Sequence, residues 1–321
     1  MTEKVKKHIP LIVILGPTAV GKTEISIQLA ERLDGEIVSA DSRLFYRGMD
    51  IGTAKPAQEE RDRVPHHLID VADPDQVWNL AIYLGEAKKV IRDIYQRGKL
   101  PFLVGGTGQY IEALLEGWRI PSVEPDPELR EVLRGWAEEI GVDGIRKRLE
   151  TLDPQATKKI DGPNLRRMIR ALEVIFISGE KFSKQKGKGP TPFRELKLGL
   201  TRPREELYQR IDDRIQAMLE AGFVEEVKRL LKEGYDPDLP PLSAIGYRQI
   251  IHYLQGVITL EEAVRQMESR SHSYVRKQAN WFQKDDPEIT WFSVSDNTLS
   301  EMEREIQEFL KEIRIPKKNI T

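Results

Sequence analysis

Eight consecutive residues near the start of the chain have the types and the spacing needed to bind a phosphate group. They are Gly16, Pro17, Thr18, Ala19, Val20, Gly21, Lys22 and Thr23, in the pattern G-x-x-x-x-G-K-T. In such a loop the backbone amides surround a phosphate at a helix N-terminus, the lysine adds a positive charge, and the threonine hydroxyl can ligate a magnesium ion. A glycine-rich turn with a chance lysine is the alternative, but it does not account for the strand and helix patterns that flank this motif. The residues therefore predict a polyphosphate site, which we call the phosphate loop (16–23).

The segments around the phosphate loop alternate between strand and helix. Short apolar runs predict buried parallel strands over 11–15, 36–40, 100–104 and 195–200. Amphipathic spacing predicts helices directly after Thr23 and over 80–96 and 109–116. A strand, a glycine-rich loop and a helix follow one another twice, which indicates an α/β fold with a doubly wound parallel sheet like that of P-loop NTPases.

The character of the sequence changes at Pro121. Prolines there indicate a linker, and the apolar periodicity that follows predicts helices over 128–140, 144–152 and 164–177. We therefore predict a core formed by 1–120 and 195–321, mostly helical after Pro203, and a helical insertion domain over 121–194. The polar, glycine-rich segment 181–190 predicts a mobile loop.

The composition excludes several classes of site. The chain of 321 residues contains no cysteine, so it has no disulfide, no thiolate nucleophile and no cysteine-based zinc or iron–sulfur site. Hydrophobic residues make up 39% and charged residues 32%, no segment resembles a membrane span or a signal peptide, and a cytoplasmic enzyme is expected. Because the formal net charge is −2, a nucleic acid would have to bind to a local basic face.

One acidic residue follows a predicted strand at the edge where ligands of open α/β sheets bind. This residue, Asp41, comes directly after the run 36–40. Its carboxylate could hold magnesium or accept a proton, but Asp41 followed by Ser42 would also suit a helix N-cap, and position alone does not decide between these roles. The strand 100–104 ends in glycines rather than in an acid, which weakens an ATPase or kinase function.

Two arginines of a later helix could bind a diphosphate. Arg210 and Arg214 lie one helical turn apart, so their guanidinium groups share a face of the predicted helix. Glu206 lies four residues before Arg210, and by spacing alone an exposed Glu206–Arg210 ion pair is the simpler explanation.

Three basic clusters point toward a nucleic-acid partner. The first is Arg166, Arg167 and Arg170, the second alternates lysines through 181–188, and the third interleaves cations and rings over 270–282. Basic side chains contact phosphates and rings stack on unpaired bases, which fits loop or single-stranded RNA better than duplex DNA. A solvated helix face is the simpler explanation of any one cluster, and the three together make RNA an equal alternative.

In their order along nearly the whole chain, these motifs resemble the bacterial tRNA dimethylallyltransferases (isopentenyl-tRNA transferases). The resemblance rests on the phosphate loop, Asp41-Ser42, and the runs 46–56, 65–67, 104–108, 170–174, 210–214 and 244–249. The phosphate loop is common to many families, whereas the runs 48–56 and 246–249 are far more specific.

The resemblance implies transfer of a dimethylallyl group from dimethylallyl diphosphate to N6 of the adenosine immediately 3′ of the anticodon, in tRNAs that read codons beginning with U. Asp41, Thr23 and Arg214 would be catalytic, with Asp41 as general base and Thr23 as ligand of Mg²⁺. The phosphate loop, Arg210 and Arg214 would bind the diphosphate.

The resemblance also implies a tRNA as partner, with the target base flipped out of its stack. The sequence does not give the oligomeric state, and a monomer is the expectation we adopt. The insertion domain would grip the anticodon stem-loop. The positions that match the tRNA contacts of the family are Asp41, Ser42, Arg43, Leu44, Thr107, Arg166, Arg167, Met168, Ile169, Arg170, Ser243, Ala244, Ile245, Gly246, Tyr247, Arg248, Arg276, Lys277, Gln278, Trp281 and Phe282.

Two features depart from the family pattern, and three alternatives stay open. Many members have Gln where this chain has Leu44, so a hydrogen bond to the target base is lost, and the zinc finger of eukaryotic members cannot form without cysteine.

The alternatives are an enzyme that prenylates free AMP, ADP or ATP, a P-loop kinase of a small metabolite, and an RNA-binding module with a vestigial phosphate loop. The insertion domain and the run 276–282 speak against the first, since a free nucleotide requires neither.

Overall fold

The computed structural model describes residues 8–314 of the chain. The strands are β1 (Ile9–Leu15), β2 (Gly35–Ser39), β3 (His66–His67), β4 (Leu100–Gly105), β5 (Trp118–Arg119), β6 (Gly187–Lys188), β7 (Phe193–Thr201) and β8 (Ile289–Ser293). The helices are α1 (Lys22–Arg32), α2 (Gln58–Arg63), α3 (Leu80–Gln96), α4 (Gly108–Leu115), α5 (Pro127–Leu152), α6 (Pro154–Lys159), α7 (Leu165–Ser178), α8 (Phe182–Gln185), α9 (Arg204–Glu220), α10 (Phe223–Lys232), α11 (Tyr247–Leu254), α12 (Leu260–Gln278) and α13 (Thr298–Arg314). A short 3₁₀ turn, Pro241–Ser243, precedes α11. Within 8–314, no helix is both long and apolar enough to cross a membrane.

Six of the strands form one sheet in which every neighbouring pair is parallel. The order is β3-β2-β4-β1-β7-β8, so β1 lies between β4 and β7. Leu15, the last residue of β1, pairs with Gly105 of β4 and with Gly199 of β7. The carboxyl ends of these strands therefore lie at one edge of the sheet, and the predicted doubly wound parallel sheet is confirmed.

The apolar character of β1 follows from its position in the middle of the sheet. Residues 11–14 are fully buried, as a parallel strand covered on both faces requires. Helix α1 buries Ile27 and Leu29, and α13, which packs on β1 and β7, buries Met302 and Ile306. Because each such side chain contributes about 1.5–3 kcal/mol on burial, these contacts fix the strand that leads into the phosphate loop.

The two edge strands of the sheet are not predicted from the sequence pattern. Strand β3 has only two residues, which is too short for a periodic signal. Strand β8 pairs with β7, but Thr290 and Ser293 are exposed, so the strand lacks the continuous apolar run of a central strand. Edge strands with one exposed face are thus the part of the sheet that apolar runs do not reveal.

By its internal contacts the chain divides into two compact units. One contains the six-stranded sheet and comprises the chain up to Leu115 and from Pro192 onwards. The other, which we call the helical unit, is Glu116–Thr191 and contains α5 to α8 with the short antiparallel pair β5–β6.

The helical unit has a core of its own, made by α5, α6 and α7. Helix α5 is broken at Gly141, whose φ of 72° interrupts the helical backbone between the two predicted helices. Glu173 of α7 is fully buried and accepts hydrogen bonds from Arg130 (2.8 and 2.9 Å), from Arg170 (2.6 Å) and from the backbone of Asp126 (2.8 Å). This network balances the buried charge and ties α5 to α7.

The prediction of a mobile loop over 181–190 is wrong for its first part. Phe182 packs into the core of the helical unit and begins α8, and Gly187–Lys188 forms β6. Asp153 accepts hydrogen bonds from the backbone and the hydroxyl of Ser183, both at 2.7 Å. One buried ring and one capping carboxylate are enough to fix a segment whose composition is otherwise that of a loop.

Candidate active site

The phosphate loop joins β1 to α1 and is bent by residues with a left-handed backbone. Ala19 and Gly21 have φ angles of 65° and 106°, and a side chain at Gly16 would place its Cβ 2.6 Å from the carbonyl oxygen of Leu200. The ammonium group of Lys22 donates to the carbonyl oxygens of Gly16 (3.0 Å) and Pro17 (2.8 Å). These bonds hold the ammonium group against the phosphate loop, so a phosphate bound by the amides at the start of α1 would also meet its positive charge.

Two arginines that follow β7 hold the outer side of the same loop. Arg202 donates from Nε to the carbonyl oxygen of Val20 (3.0 Å), and Arg210 donates from Nε to that of Ala19 (2.8 Å). The prediction of a Glu206–Arg210 ion pair is wrong, because Glu206 forms its ion pair with Arg202 instead. Arg210 therefore belongs to the loop, with its terminal guanidinium nitrogens still available to an anion.

The electrostatics of the site connect Lys22, Arg214 and Asp41. Burial lowers the pKa of Lys22 to about 8, the negative charge of Asp41 opposes this, and the positive charge of Arg214 adds to it. Burial also lowers the pKa of Arg214, again with Asp41 acting in the opposite direction. Two cations that are costly to bury thus lie beside one carboxylate, and a bound anion would relieve that cost.

Asp41 lies at the same edge of the sheet, in a turn rather than at the start of a helix. The residues after it form turns, and the next helix begins only at Gln58, so the helix-cap alternative is wrong. Its Oδ1 accepts from the backbone N–H of Arg43 (3.0 Å), and within residues 8–314 Oδ2 has no hydrogen-bond partner, so it is available to a ligand. The backbone of Ser42 donates to the Thr107 hydroxyl (3.3 Å), which joins this turn to the loop after β4.

The end of α12 packs against the loop after β4. Gln278 donates from Nε2 to the carbonyl oxygen of Gly106 (3.0 Å), and a side chain at Gly108 would place its Cβ 2.4 Å from Trp281. Tyr274 is 39% exposed but hydrogen-bonded to Thr107, and the partial desolvation of its hydroxyl, reinforced by the charge of Asp41, raises its pKa to about 12. Tyr274, Gln278 and Trp281 thus contact three consecutive residues, 106–108, of the loop after β4.

The predicted tRNA contacts of this unit differ in exposure. Arg248, Arg276, Lys277 and Trp281 are exposed, whereas the predicted contacts with buried side chains are Ala244, Tyr247, Gln278 and Phe282. Arg43 donates to the carbonyl oxygen of Pro240 (3.3 Å), which brings the turn after Asp41 next to the run 243–248. A contact between RNA and the buried positions would therefore have to involve their backbone or their neighbours.

The predicted contacts over 166–170 lie in the helical unit, on α7. Arg166 and Arg167 are exposed. Met168 and Ile169 are buried in the core of this unit, and Arg170 is bound to Glu173 and to the carbonyl oxygen of Val123 (2.6 Å). Among these five residues, Arg166 and Arg167 are the ones whose side chains are exposed and have no hydrogen bond or ion pair within residues 8–314, so they are the candidates for an RNA contact in this segment.

Sequence reasoning missed Arg202, the position of Tyr274 beside Thr107, and Glu226. Glu226 of α10 accepts from the backbone N–H groups of Asp50 (2.9 Å) and Ile51 (2.7 Å). The specificity of the run 48–56 was a signal that this segment has a fixed structure, but the sequence does not reveal which side chain fixes it.

A phosphate loop after the central strand of a parallel sheet, with a carboxylate at the same sheet edge, defines the fold as α/β of the P-loop type. A family model described as IPP transferase matches residues 44–285, and one described as Isopentenyl transferase matches residues 9–70. The chain belongs to the IPP transferase family.

Individual relatives agree with this assignment. A protein of Roseiflexus sp. (strain RS-1) named tRNA dimethylallyltransferase is 51% identical over 276 residues, which are 86% of this chain and 90% of that protein. The crystal structure of the full-length tRNA isopentenylpyrophosphate transferase from Bacillus halodurans is 40% identical, with a TM-score of 0.71 over 95% of this chain and 98% of that one. A eukaryotic dimethylallyltransferase, seen in crystallographic snapshots acting on tRNA, is 28% identical, with a TM-score of 0.80 over 97% of this chain and 81% of that one.

Proposed function

We infer that this protein transfers a dimethylallyl group from dimethylallyl diphosphate to N6 of the adenosine immediately 3′ of the anticodon, in tRNAs that read codons beginning with U. The observation that carries the inference is the arrangement at one sheet edge, where the phosphate loop and Arg214 lie beside Asp41. A diphosphate leaving group requires the cations, and an amine nucleophile requires the carboxylate.

The reaction needs both parts of the site at once. The exocyclic amine of adenine is a poor nucleophile, because its lone pair is delocalised into the ring. As N6 bonds to the terminal allylic carbon, the carbon–oxygen bond breaks and diphosphate leaves with the electron pair. Asp41 accepts the proton from N6, and the growing negative charge is stabilised by the loop amides, Lys22 and Arg214.

A magnesium ion fits the donor set of this loop without a protein cage. Within residues 8–314, no group of three or more His, Cys, Asp or Glu side chains could hold a metal ion. The hydroxyl of Thr23 would supply one oxygen ligand, and the diphosphate and water would supply the others, as is common for Mg²⁺. When bound, the ion would neutralise part of the diphosphate charge.

The acceptor is an RNA in this proposal because the exposed side chains beside the site suit one. Arg248, Arg276, Lys277 and Trp281 combine cations for phosphates with a ring for an unpaired base. The adenine would leave its stack to reach Asp41. The grip of the helical unit on the anticodon stem-loop belongs to the same proposal and rests on the resemblance. A monomeric state and a cytoplasmic location are added to the proposal as the expectations stated from the sequence.

The test is mass spectrometry of nucleosides from an unmodified tRNA incubated with the purified protein, dimethylallyl diphosphate and magnesium. We expect one dimethylallyl mass gain on the adenosine 3′ of the anticodon. A transcript with guanosine at that position is the matched control and should gain nothing. Faster transfer to AMP than to tRNA would move the protein to the enzymes that prenylate free nucleotides, and steady release of ADP from ATP without donor would favour a kinase.

A further inference from the structure

Gln278 is turned away from the surface, although its neighbours on α12 face solvent. Its side chain is 3% exposed, whereas Arg276 and Lys277 are exposed. The resemblance places Gln278 among the residues that contact tRNA. An RNA cannot reach a buried amide at this position unless α12 moves. The role of Gln278 therefore follows from the protein groups to which its amide is hydrogen-bonded.

The Gln278 amide joins the phosphate loop to the loop after β4. Its Oε1 accepts from the backbone N–H of Thr18 (2.9 Å), and its Nε2 donates to the carbonyl oxygen of Gly106 (3.0 Å). One partner is only a donor and the other only an acceptor, so the bridge needs an amide side chain. A carboxylate could not donate to Gly106, and a methionine could make neither bond.

The glycine at the far end of this bridge leaves space for it. A Cβ at Gly106 would lie 2.5 Å from Nε2 of Gln278, and 3.6 Å from the ammonium nitrogen of Lys22. The bridge therefore lies next to the lysine of the phosphate loop. It also fixes the loop whose Thr107 hydroxyl accepts from the turn that carries Asp41.

We propose that Gln278 is a positioning residue for the diphosphate of the prenyl donor, acting through the Thr18 peptide, and not a contact of the tRNA. The proposal rests on the proposed function, since it concerns the same donor site. By fixing Thr18 against Gly106, the Gln278 amide sets the orientation of the phosphate loop relative to the loop that faces Asp41. The consequence is a division along α12, in which exposed residues act on the RNA and the buried Gln278 acts on the donor.

Gln278→Met separates the two roles, because it keeps the length of the side chain and removes both hydrogen bonds. Calorimetric titration of inorganic diphosphate in the presence of magnesium should show a dissociation constant raised by about tenfold, as expected for the loss of two neutral hydrogen bonds. In steady-state assays the KM for dimethylallyl diphosphate should rise by a similar factor, while the KM for tRNA changes less than about twofold.

Two further variants complete the test. Gly106→Ala pushes on the Gln278 amide from the other end of the bridge and leaves the sequence of α12 unchanged, so it should reproduce the weaker diphosphate binding even if Gln278→Met folds poorly. Gln266→Met is the matched control, because Gln266 lies on the same helix and binds only Glu262 (3.0 Å), and it should bind diphosphate like the native protein.

The outcomes distinguish this proposal from the function on which it rests. A raised KM for tRNA with unchanged diphosphate binding would make Gln278 an RNA contact and overturn the proposal, as would no change in either quantity. If the native protein binds diphosphate but does not prenylate tRNA, the proposed function fails, whereas the calorimetric comparison of the variants still decides the role of Gln278. If the native protein binds no diphosphate, both are overturned.

Discussion

Lys22 gives the stability of this protein a dependence on pH that one substitution can isolate. Burial lowers the pKa of Lys22 to about 8, from an ordinary value of 10.5. Between these values the unfolded chain holds a proton that the folded protein has released, so the free energy of unfolding rises with pH. The cost of keeping this ammonium charged in the folded protein is therefore full below pH 8 and is lost as the pH rises toward 10.5.

Lys22→Met removes the titrating group and keeps most of the apolar stem. At about 1.36 kcal/mol per pH unit, the lowered pKa corresponds to a cost of about 3.4 kcal/mol near neutral pH. Between about pH 7 and about pH 9 the folded lysine loses most of its proton and the unfolded one keeps it, so about 1.3 kcal/mol of that cost disappears. The stability of the native protein, relative to that of Lys22→Met, should rise by this amount over the same interval.

The assay is urea unfolding followed by far-ultraviolet circular dichroism, with native protein and variant measured at both pH values. Groups other than Lys22 titrate in both proteins and largely cancel in the difference. Lys89→Met, which removes a lysine from an exposed ion pair with Glu86, measures the background for losing a surface charge. If the free energy of unfolding of the native protein, relative to that of Lys22→Met, is constant or falls as the pH rises, the argument is refuted.

Calorimetry should also show that Lys22→Met raises the dissociation constant for diphosphate by about a hundredfold or more.

Three further substitutions test separate parts of the site. Asp41→Ala should lower turnover by about 10³-fold or more while the dissociation constant for tRNA changes little, and an equal loss of tRNA binding in a filter assay would contradict its role as a base. Arg214→Gln should lower turnover by about a hundredfold and raise the KM for the prenyl donor, and steady-state kinetics that leave both unchanged would remove Arg214 from the diphosphate site. Glu226→Gln should lower the free energy of unfolding in urea by about 2–4 kcal/mol, because an amide cannot accept all the buried hydrogen bonds made to the carboxylate. Glu225→Gln, in the exposed neighbour, should change it by less than about 0.5 kcal/mol, and similar losses in the two variants would show that the buried network contributes little.

The parts of the fold that the sequence predicts correctly are those set by local pattern. Helix α3 has the predicted bounds because an amphipathic run follows Asn79, whose side chain caps it by accepting from the backbone of Ala81 (2.9 Å) and Ile82 (3.1 Å). The phosphate loop is likewise confirmed between a strand and a helix. Strand β8 depends instead on pairing with β7, a tertiary contact that leaves no pattern in its five residues.

The site is less predictable than the fold, because side chains with equal spacing compete for one partner. Arg202 and Arg210 each lie four residues from Glu206 in sequence, but Arg202 precedes α9, so helical spacing favours Arg210 as the partner of Glu206. The structure gives Glu206 to Arg202 and places Nε of Arg210 against Ala19. The choice follows from the path of the chain between β7 and α9, which brings both arginines to the phosphate loop.

Close packing accounts for the glycine in the middle of the run 48–56. A side chain at Gly52 would place its Cβ 2.1 Å from the ring of Phe223, so only glycine fits. The backbone N–H of Gly52 donates to Glu226 (3.2 Å), and this contact adds to those from Asp50 and Ile51. One buried carboxylate thereby binds three consecutive backbone amides of a segment without helix or strand.

The run 246–249 converges on the same place from the other side. The hydroxyl of Tyr247 donates to Glu226 (2.6 Å), and Gly246, with a φ of 97°, lies where a Cβ would be 3.1 Å from the ring of Phe223. Gly52 of the first run and Gly246 and Tyr247 of the second therefore lie on two sides of one packing contact, whereas Arg248 of the second run is exposed. That contact matters for function through its neighbours, because Arg43 binds the carbonyl oxygen of Pro240 just ahead of the second motif. The loss of the Glu226 carboxylate should consequently loosen the turn after Asp41 as well as the run 246–249. The packing around Glu226 therefore stabilises the site indirectly and takes no part in the reaction.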